Sequence, residues 1–238
     1  MRIRGTLGVA LAASVLAAAC GATTKTAPTT LRRQECTNPD AQLRAVLEPL
    51  EAQRAAGCAP SKTAASCISL ELELERLAVV CPNHAPTLVA NAVVAYDQHQ
   101  AARAQQLLDE ALSGPAGNPV AAELRARIAI EDGNLTFAHR LLDDQIKLAP
   151  DHAGLREVLG GALYLSGHLP EARRELTAAQ ALGAPKWRVA YHLGLVEEAS
   201  GRFDDAKRRY AEALDGRPGY GPAESRLRAL RLKDGPAQ

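Results

Sequence analysis

Aromatic side chains are scarce in this chain, at 3% of residues against 47% for the apolar set as a whole. The apolar share is therefore mostly Ala and Leu, a composition that suits close helix packing and argues against a β-sandwich. An excess of charge is missing as well: 28 Lys and Arg stand against 27 Asp and Glu. That balance gives no electrostatic reason to expect nucleic acid or an anionic membrane as the main partner. Catalytic signatures are absent too. No H-E-x-x-H, G-x-S-x-G, P-loop or glycine-rich dinucleotide fingerprint occurs, and without an assembled constellation the chain reads as a non-enzyme with no cofactor. Tight C-x₂-C pairs of the kind that bind zinc are also missing.

The beginning of the chain is of a different kind from the rest. Arg2 and Arg4 precede an apolar run from Leu7 to Ala19, which ends in Leu16-Ala17-Ala18-Ala19-Cys20. A basic start, a short apolar stretch and small residues before a cut site describe a secretory signal peptide over residues 1–19. The end of the run resembles the lipobox of bacterial lipoproteins, although the leucine sits one place early and leaves Ala17 where a larger aliphatic is favoured. The resemblance implies cleavage before Cys20, a diacylglycerol on its sulfur and an acylated amine. Several acyl chains give stable anchoring where one would be marginal. The alternative is an ordinary secretory peptide cut nearby. Gly21, not Asp, follows the cysteine, which by the same resemblance implies a periplasm-facing lipoprotein of the outer membrane. Residues 20–35, rich in Thr, Ala and Pro, read as the lipidated cysteine and a tether that reaches on the order of 20 Å as a coil.

From residue 85 the sequence aligns with itself at a shift of 34. One column is Ala104, Ala138, Ala172 and Ala206; another is Leu108, Leu142, Leu176 and Tyr210. A small-residue column runs Ala92, Ala126, Gly160, Gly194, and a turn column runs His99, Gly133, Gly167, Gly201. Pro115, Pro150, Pro185 and Pro218 close the units. Glycine supplies the left-handed residue that ends a helix, small residues let paired helices approach, and proline stops the second helix. These columns resemble the tetratricopeptide repeat, most clearly from Trp187 to Pro218 and next from Ala153 to Pro185. The earlier copies depart from it, with Arg125-Ala126 and Asn91-Ala92 in place of Leu-Gly; Ala95, Ala129, Leu163 and Glu197 stand where an aromatic is usual. The resemblance implies an all-α helix–turn–helix solenoid over residues 85–218. Residues 219–238 then supply a capping helix and tail, in which Leu227, Leu230 and Leu232 form an apolar stripe among Arg226, Arg228, Arg231 and Lys233. The alternative use of that basic face is contact with phospholipid.

Residues 36–84 carry Cys36, Cys58, Cys67 and Cys81. An even set in an oxidising compartment reads as two disulfides, with three pairings possible. Segments from about Asp40 to Ala56 and about Ser61 to Val80 look helical. The ends of such helices lie on the order of 20–30 Å apart, whereas bridged Cα atoms must come within about 7 Å. An antiparallel hairpin therefore favours the nested pairs Cys36–Cys81 and Cys58–Cys67. Pro49 can kink the first helix. Pro82 lies two repeat lengths before Pro150, so the hairpin also reads as a degenerate repeat.

The first helix of each unit lines the concave face of such a solenoid. Placing the sequence on it gives Tyr96 and Asp97, then Glu123, Arg127 and Glu131, then Glu157 and Tyr164, and last Arg188, Tyr191 and Glu198. Tyr and Arg are typical interface anchors, although any solvated groove has a mixed polar lining. The Lys/Asn/Arg clamp with which some tetratricopeptide domains hold a terminal carboxylate is not matched. Val89, Glu123 and Glu157 stand at the equivalent places, and an acidic terminus would meet like charge. The sequence thus points to an outer-membrane adaptor or assembly factor, pilotin-like or serving an envelope enzyme. Its partners would be envelope proteins, with membrane contact through the lipid anchor and no nucleic acid. The second reading is an envelope protein that binds a metal or small ligand through groove His, Tyr and Arg residues, with His152, His168 and His192 as the ligating set.

Overall fold

The structure is a computed structural model that describes residues 35–58, 65–114 and 117–233. Cys20, the signal segment, residues 20–34 of the tether and Pro115 lie outside the described residues. Within them the chain forms eleven α-helices and no strand. The first two, α1 (Pro39–Ala55) and α2 (Cys67–Val80), form an antiparallel hairpin. Four further pairs follow: α3 (Ala85–Asp97) with α4 (Ala101–Ala111), α5 (Pro119–Glu131) with α6 (Leu135–Leu148), α7 (Ala153–Leu165) with α8 (Leu169–Ala181), and α9 (Lys186–Ala199) with α10 (Phe203–Gly216). A last helix, α11 (Gly221–Lys233), packs on α10. The first helices of successive pairs also touch, α1 on α3, α5 on α7 and α7 on α9.

Local signals start and stop these helices. The side chains of Asn38, Ser66, Asn118 and Asn134 each accept the backbone N–H three residues on, capping α1, α2, α5 and α6. His152 does the same for α7 through Nδ1, at 3.3 Å from the Leu155 nitrogen. Ser66 also sets a difference from the sequence reading. The second helix begins at Cys67, because the serine hydroxyl takes the Ser69 N–H and fixes the first turn there, whereas Ser61 lies outside the described residues. The turn column behaves uniformly in the backbone: His99, Gly133, Gly167 and Gly201 all have positive φ, at 60°, 77°, 80° and 75°. Of these four only His99 carries a Cβ into that left-handed region, which residues other than glycine enter at a cost.

The core runs along the stack as a series of small clusters. Ala104, Ala138, Ala172 and Ala206 are completely buried, as are Leu108, Leu142, Leu176 and Tyr210. The small-residue column meets the second of these across each helix pair. A Cβ added at Gly160 would come within 2.6 Å of Leu176, and one added at Gly194 within 2.6 Å of Tyr210. The repeat period is thus a packing requirement: where the second helix offers a large side chain, the first must offer almost none.

The departures from the repeat pattern have local causes. Asn91 donates through Nδ2 to the carbonyls of Leu74 and Thr87, both at 3.0 Å, and so hooks α3 onto the hairpin. Arg125 donates from Nε to Asp109 at 2.8 Å and lies over the Phe137 ring. Glu197 is buried against Arg173, at 2.8 Å, and Arg202; burial nonetheless pushes its carboxyl above the usual carboxylate range.

Both nested disulfides are present. Cys36 joins Cys81 with Cα atoms 5.3 Å apart, and Cys58 joins Cys67 at 5.7 Å. Pro49 lies inside α1, which runs unbroken from Pro39 to Ala55. At the other end of the stack Leu227 and Leu230 are buried on the inner face of α11, but Leu232 is 76% exposed. Two positions beyond Leu230 on a helix is a turn of about 200°, so Leu232 faces outward and is no part of the capping stripe.

Candidate functional site

The first helices of three consecutive pairs, α5, α7 and α9, enclose a groove pocket of about 340 Å³. From α5 come Arg127, Ile130 and Glu131; from α7, Glu157, Val158, Gly161, Tyr164 and Leu165; from α9, Arg188, His192 and Leu195. Spacings of three and four residues on each helix bring these side chains to one face. Ile130, Val158, Leu165 and Leu195 make the apolar part of the lining, and Arg127, Glu131, Glu157 and Arg188 the charged part.

Glu157 is the electrostatic centre of the pocket. Its side chain is only 1% exposed, and Arg188 engages both carboxylate oxygens, Nε donating to Oε1 and Nη2 to Oε2 at 2.6 Å. A buried carboxylate needs such compensation, and a bidentate guanidinium supplies it in a fixed plane. The hydrogen bond to Glu157 holds the Arg188 guanidinium above its already high range. His192 stands one turn on, with Nδ1 buried, without a hydrogen-bond partner, and 3.6 Å from Glu157 Oε1. Burial holds this imidazole below the ordinary histidine range against the pull of Glu157, and Arg188 and Arg127 add to the depression. Glu123 sits beside the pocket, paired with Arg127 at 2.6 Å and with the His152 imidazole 3.9 Å away.

At the amino-terminal side, the Tyr96 hydroxyl donates to Glu131, and that bond pushes the phenol up to about 12. Asp97 is turned away from the pocket, held by Arg54 of the hairpin at 2.8 Å while the same guanidinium holds Glu71 at 3.0 Å. At the other end, Glu198 accepts the Tyr210 hydroxyl at 2.7 Å and faces Arg226 at 3.3 Å. Tyr191 packs edge-on against Tyr220 of the cap, ring centres 5.1 Å apart.

Of the ten groove residues expected from the sequence, the structure therefore brings Arg127, Glu131, Glu157, Tyr164 and Arg188 into the pocket wall and leaves Asp97 out of it. Tyr96 and Glu123 are not in that wall but hold members of it, Tyr96 bonding Glu131 and Glu123 pairing with Arg127. Tyr191 and Glu198 join α9 to α10 and α11 and stand outside the wall. The apolar floor was not anticipated: Ile130, Val158, Leu165 and Leu195 had no role assigned from the sequence. The available signal was the second glycine of the Gly160-Gly161 pair, which the repeat pattern does not require. Among the described residues no group of three His, Cys, Asp or Glu side chains is arranged to hold a metal. His152, His168 and His192 are thus not assembled into one. His152 and His168 are N-caps of separate helices, and His192 lies in the groove.

No protein-family model matches the sequence. A stretch of 97 residues, 39% of the chain, is 35% identical to tetratricopeptide repeat protein 36 of Bos taurus, and the chain spans about half the length of that relative, 52%. Among solved structures, a thermophilic tetratricopeptide-repeat protein from Thermus thermophilus is similar over 82% of this chain and 99% of its own, with a TM-score of 0.63 and 18% identity. The Cut9–Hcn1 hetero-tetramer of the APC/C contains a chain similar over 82% of this one and 36% of its own, with a TM-score of 0.70 and 12% identity. Pseudomonas aeruginosa pilF is similar over 83% of this chain and 93% of its own, with a TM-score of 0.62 and 15% identity. The fold is that of a tetratricopeptide-repeat solenoid.

Proposed function

We propose that this chain is a protein-binding adaptor or assembly factor that takes its partner in the concave groove and is held at the bacterial outer membrane through lipidated Cys20. The observation that carries the binding half is the pocket between α5, α7 and α9. It has an apolar floor, with Leu165 55% exposed, beside the paired charges Arg127–Glu123 and Arg188–Glu157. Apolar centres with polar surrounds are how protein interfaces are built. The anchoring half rests on Arg2, Arg4, the apolar run and the Cys20 site in the sequence. The pilotin-like and envelope-enzyme roles are the two forms this adaptor would take. The reading assigns no catalysis to the chain.

One experiment in cells addresses both halves. A photo-crosslinking amino acid is placed at Leu165, in the groove, or at Asp144, exposed on α6, and membranes are separated after irradiation. The groove position should give a discrete protein adduct in the membrane fraction, and the α6 position should not. Equal labelling from both positions, or none from Leu165, removes the groove reading. The variant Cys20→Ser should shift the folded protein to the soluble fraction, and its retention on membranes removes the anchor.

A further inference from the structure

Glycine inside a helix is conformationally costly, so each one asks for a packing reason. In α7, Gly160 has one, since a Cβ there would strike Leu176. Its neighbour Gly161 has none: a Cβ built on it meets no heavy atom within 4 Å. What the missing side chain leaves instead is space on the groove side. Gly161 lines the pocket together with Val158 and Leu165 of its own helix, Ile130 of α5 and Leu195 of α9. A volume of about 340 Å³ is at the small end of ligand pockets, which begin at about 300 Å³. It suits one inserted side chain better than a whole cofactor.

The charges around that opening do not cancel. Arg127 is taken up by Glu123 and Arg188 by Glu157. Glu131, exposed on the rim, is bonded to the Tyr96 hydroxyl and has no ion pair among the described residues. Farther along, one guanidinium, Arg54, serves two carboxylates, Glu71 and Asp97. The amino-terminal side of the pocket thus carries excess negative charge, which favours a cationic neighbour and disfavours an acidic one.

From these two observations we infer that Gly161 opens a specificity pocket for a partner protein's docking segment, which inserts one apolar side chain there and sets a lysine or arginine against Glu131. This inference rests on the groove reading given above and goes beyond it in naming the residues the partner must present.

The test is a selection of a displayed library of random twelve-residue peptides on the immobilised full chain, repeated with Gly161→Leu and with Glu131→Lys. Peptides enriched on the unaltered chain should carry an apolar residue adjacent to Lys or Arg. They should bind Gly161→Leu weaker by about tenfold or more, since the new side chain occupies the pocket. On Glu131→Lys the enriched neighbour should change from basic to acidic. Gly161→Ala, which adds a single methyl group in open space, should keep the fold and weaken the same peptides less. Thermal melting of both Gly161 variants at or above the unaltered chain separates loss of binding from loss of structure. Peptides that bind Gly161→Leu undiminished, an acidic or absent charge preference, or no enrichment at all would overturn the assignment. Adducts from Leu165 in cells alongside any of those results would leave the groove reading intact and reject only the pocket.

Discussion

Gly160 and Gly161 are neighbours in α7, yet a methyl group does opposite things at each. At Gly160 the new Cβ would overlap Leu176, and the Ala172 carbonyl is only 3.2 Å from the same point. Both side chain and helix would have to move, so Gly160→Ala should destabilise by about 1–3 kcal/mol. At Gly161 the methyl group enters open space, and removal of a helix-interior glycine should stabilise by about 0.5–1 kcal/mol. Urea midpoints of the two variants should therefore fall on opposite sides of the unaltered chain; shifts of the same sign would contradict the packing described. His192 gives a pH prediction at the same scale. An unfolded histidine takes its proton near about pH 6.5, but burial holds the folded His192 imidazole lower. Between those two values the unfolded state binds more protons. This residue therefore lowers stability as the pH falls through about 6.5, with the full loss present once pH is below the folded value. Above about pH 6.5 the residue contributes no pH dependence of this kind. Melting temperature against pH should then fall less steeply for His192→Gln than for the unaltered chain below that point, and parallel curves would remove His192 from the acid response.

At the scale of the helix pair, the crossings depend on alanine in one column and not beside it. Ala172 is completely buried on α8, whereas Ala178 on the same helix is half-buried. Ala172→Leu should overpack the α7–α8 crossing at about 1–3 kcal/mol, and Ala178→Leu should cost less; equal unfolding shifts would place the column on the wrong face. This column was legible in the sequence because packing demands recur at each unit and leave a period of 34. The nested disulfides were legible for a different reason: helix length alone rules out bridging the two ends of one helix. What the sequence hid has a common physical origin in long-range partners. Asp97 and Glu198 read as groove residues, but Asp97 is claimed by Arg54, 43 residues away, and Glu198 faces Arg226, 28 residues away. Nothing local to either carboxylate announces those guanidinium groups. The pocket floor was hidden by the opposite ambiguity, since an apolar residue on a first helix looks the same whether it fills the core or lines a cleft.

On the scale of the whole molecule, the two covalent staples sit together at one end of a one-dimensional stack. Each helix packs mainly on its neighbours in sequence, so stability is transmitted from pair to pair and ends can fray independently. The hairpin is held to the remainder by the Asn91 hook on Leu74 and by Arg54 between Glu71 and Asp97. The Cys36–Cys81 bridge spans 45 residues and the Cys58–Cys67 bridge spans 9. By loop-closure entropy these are worth about 4 and about 2.5 kcal/mol respectively. Replacing Cys36 and Cys81 together by serine should therefore lower stability more than replacing Cys58 and Cys67. Full reduction should act locally first. Backbone amides of α1 and α2 should exchange faster with deuterium, those of α3 next, while α9 to α11 keep their protection because the Tyr210, Glu198 and Arg226 contacts are untouched. Peptide-resolved hydrogen exchange with and without reductant measures this gradient directly. A uniform rise in exchange along all the described helices would show that the stack unfolds as a single cooperative unit, and the picture of pairwise-transmitted stability would have to be given up.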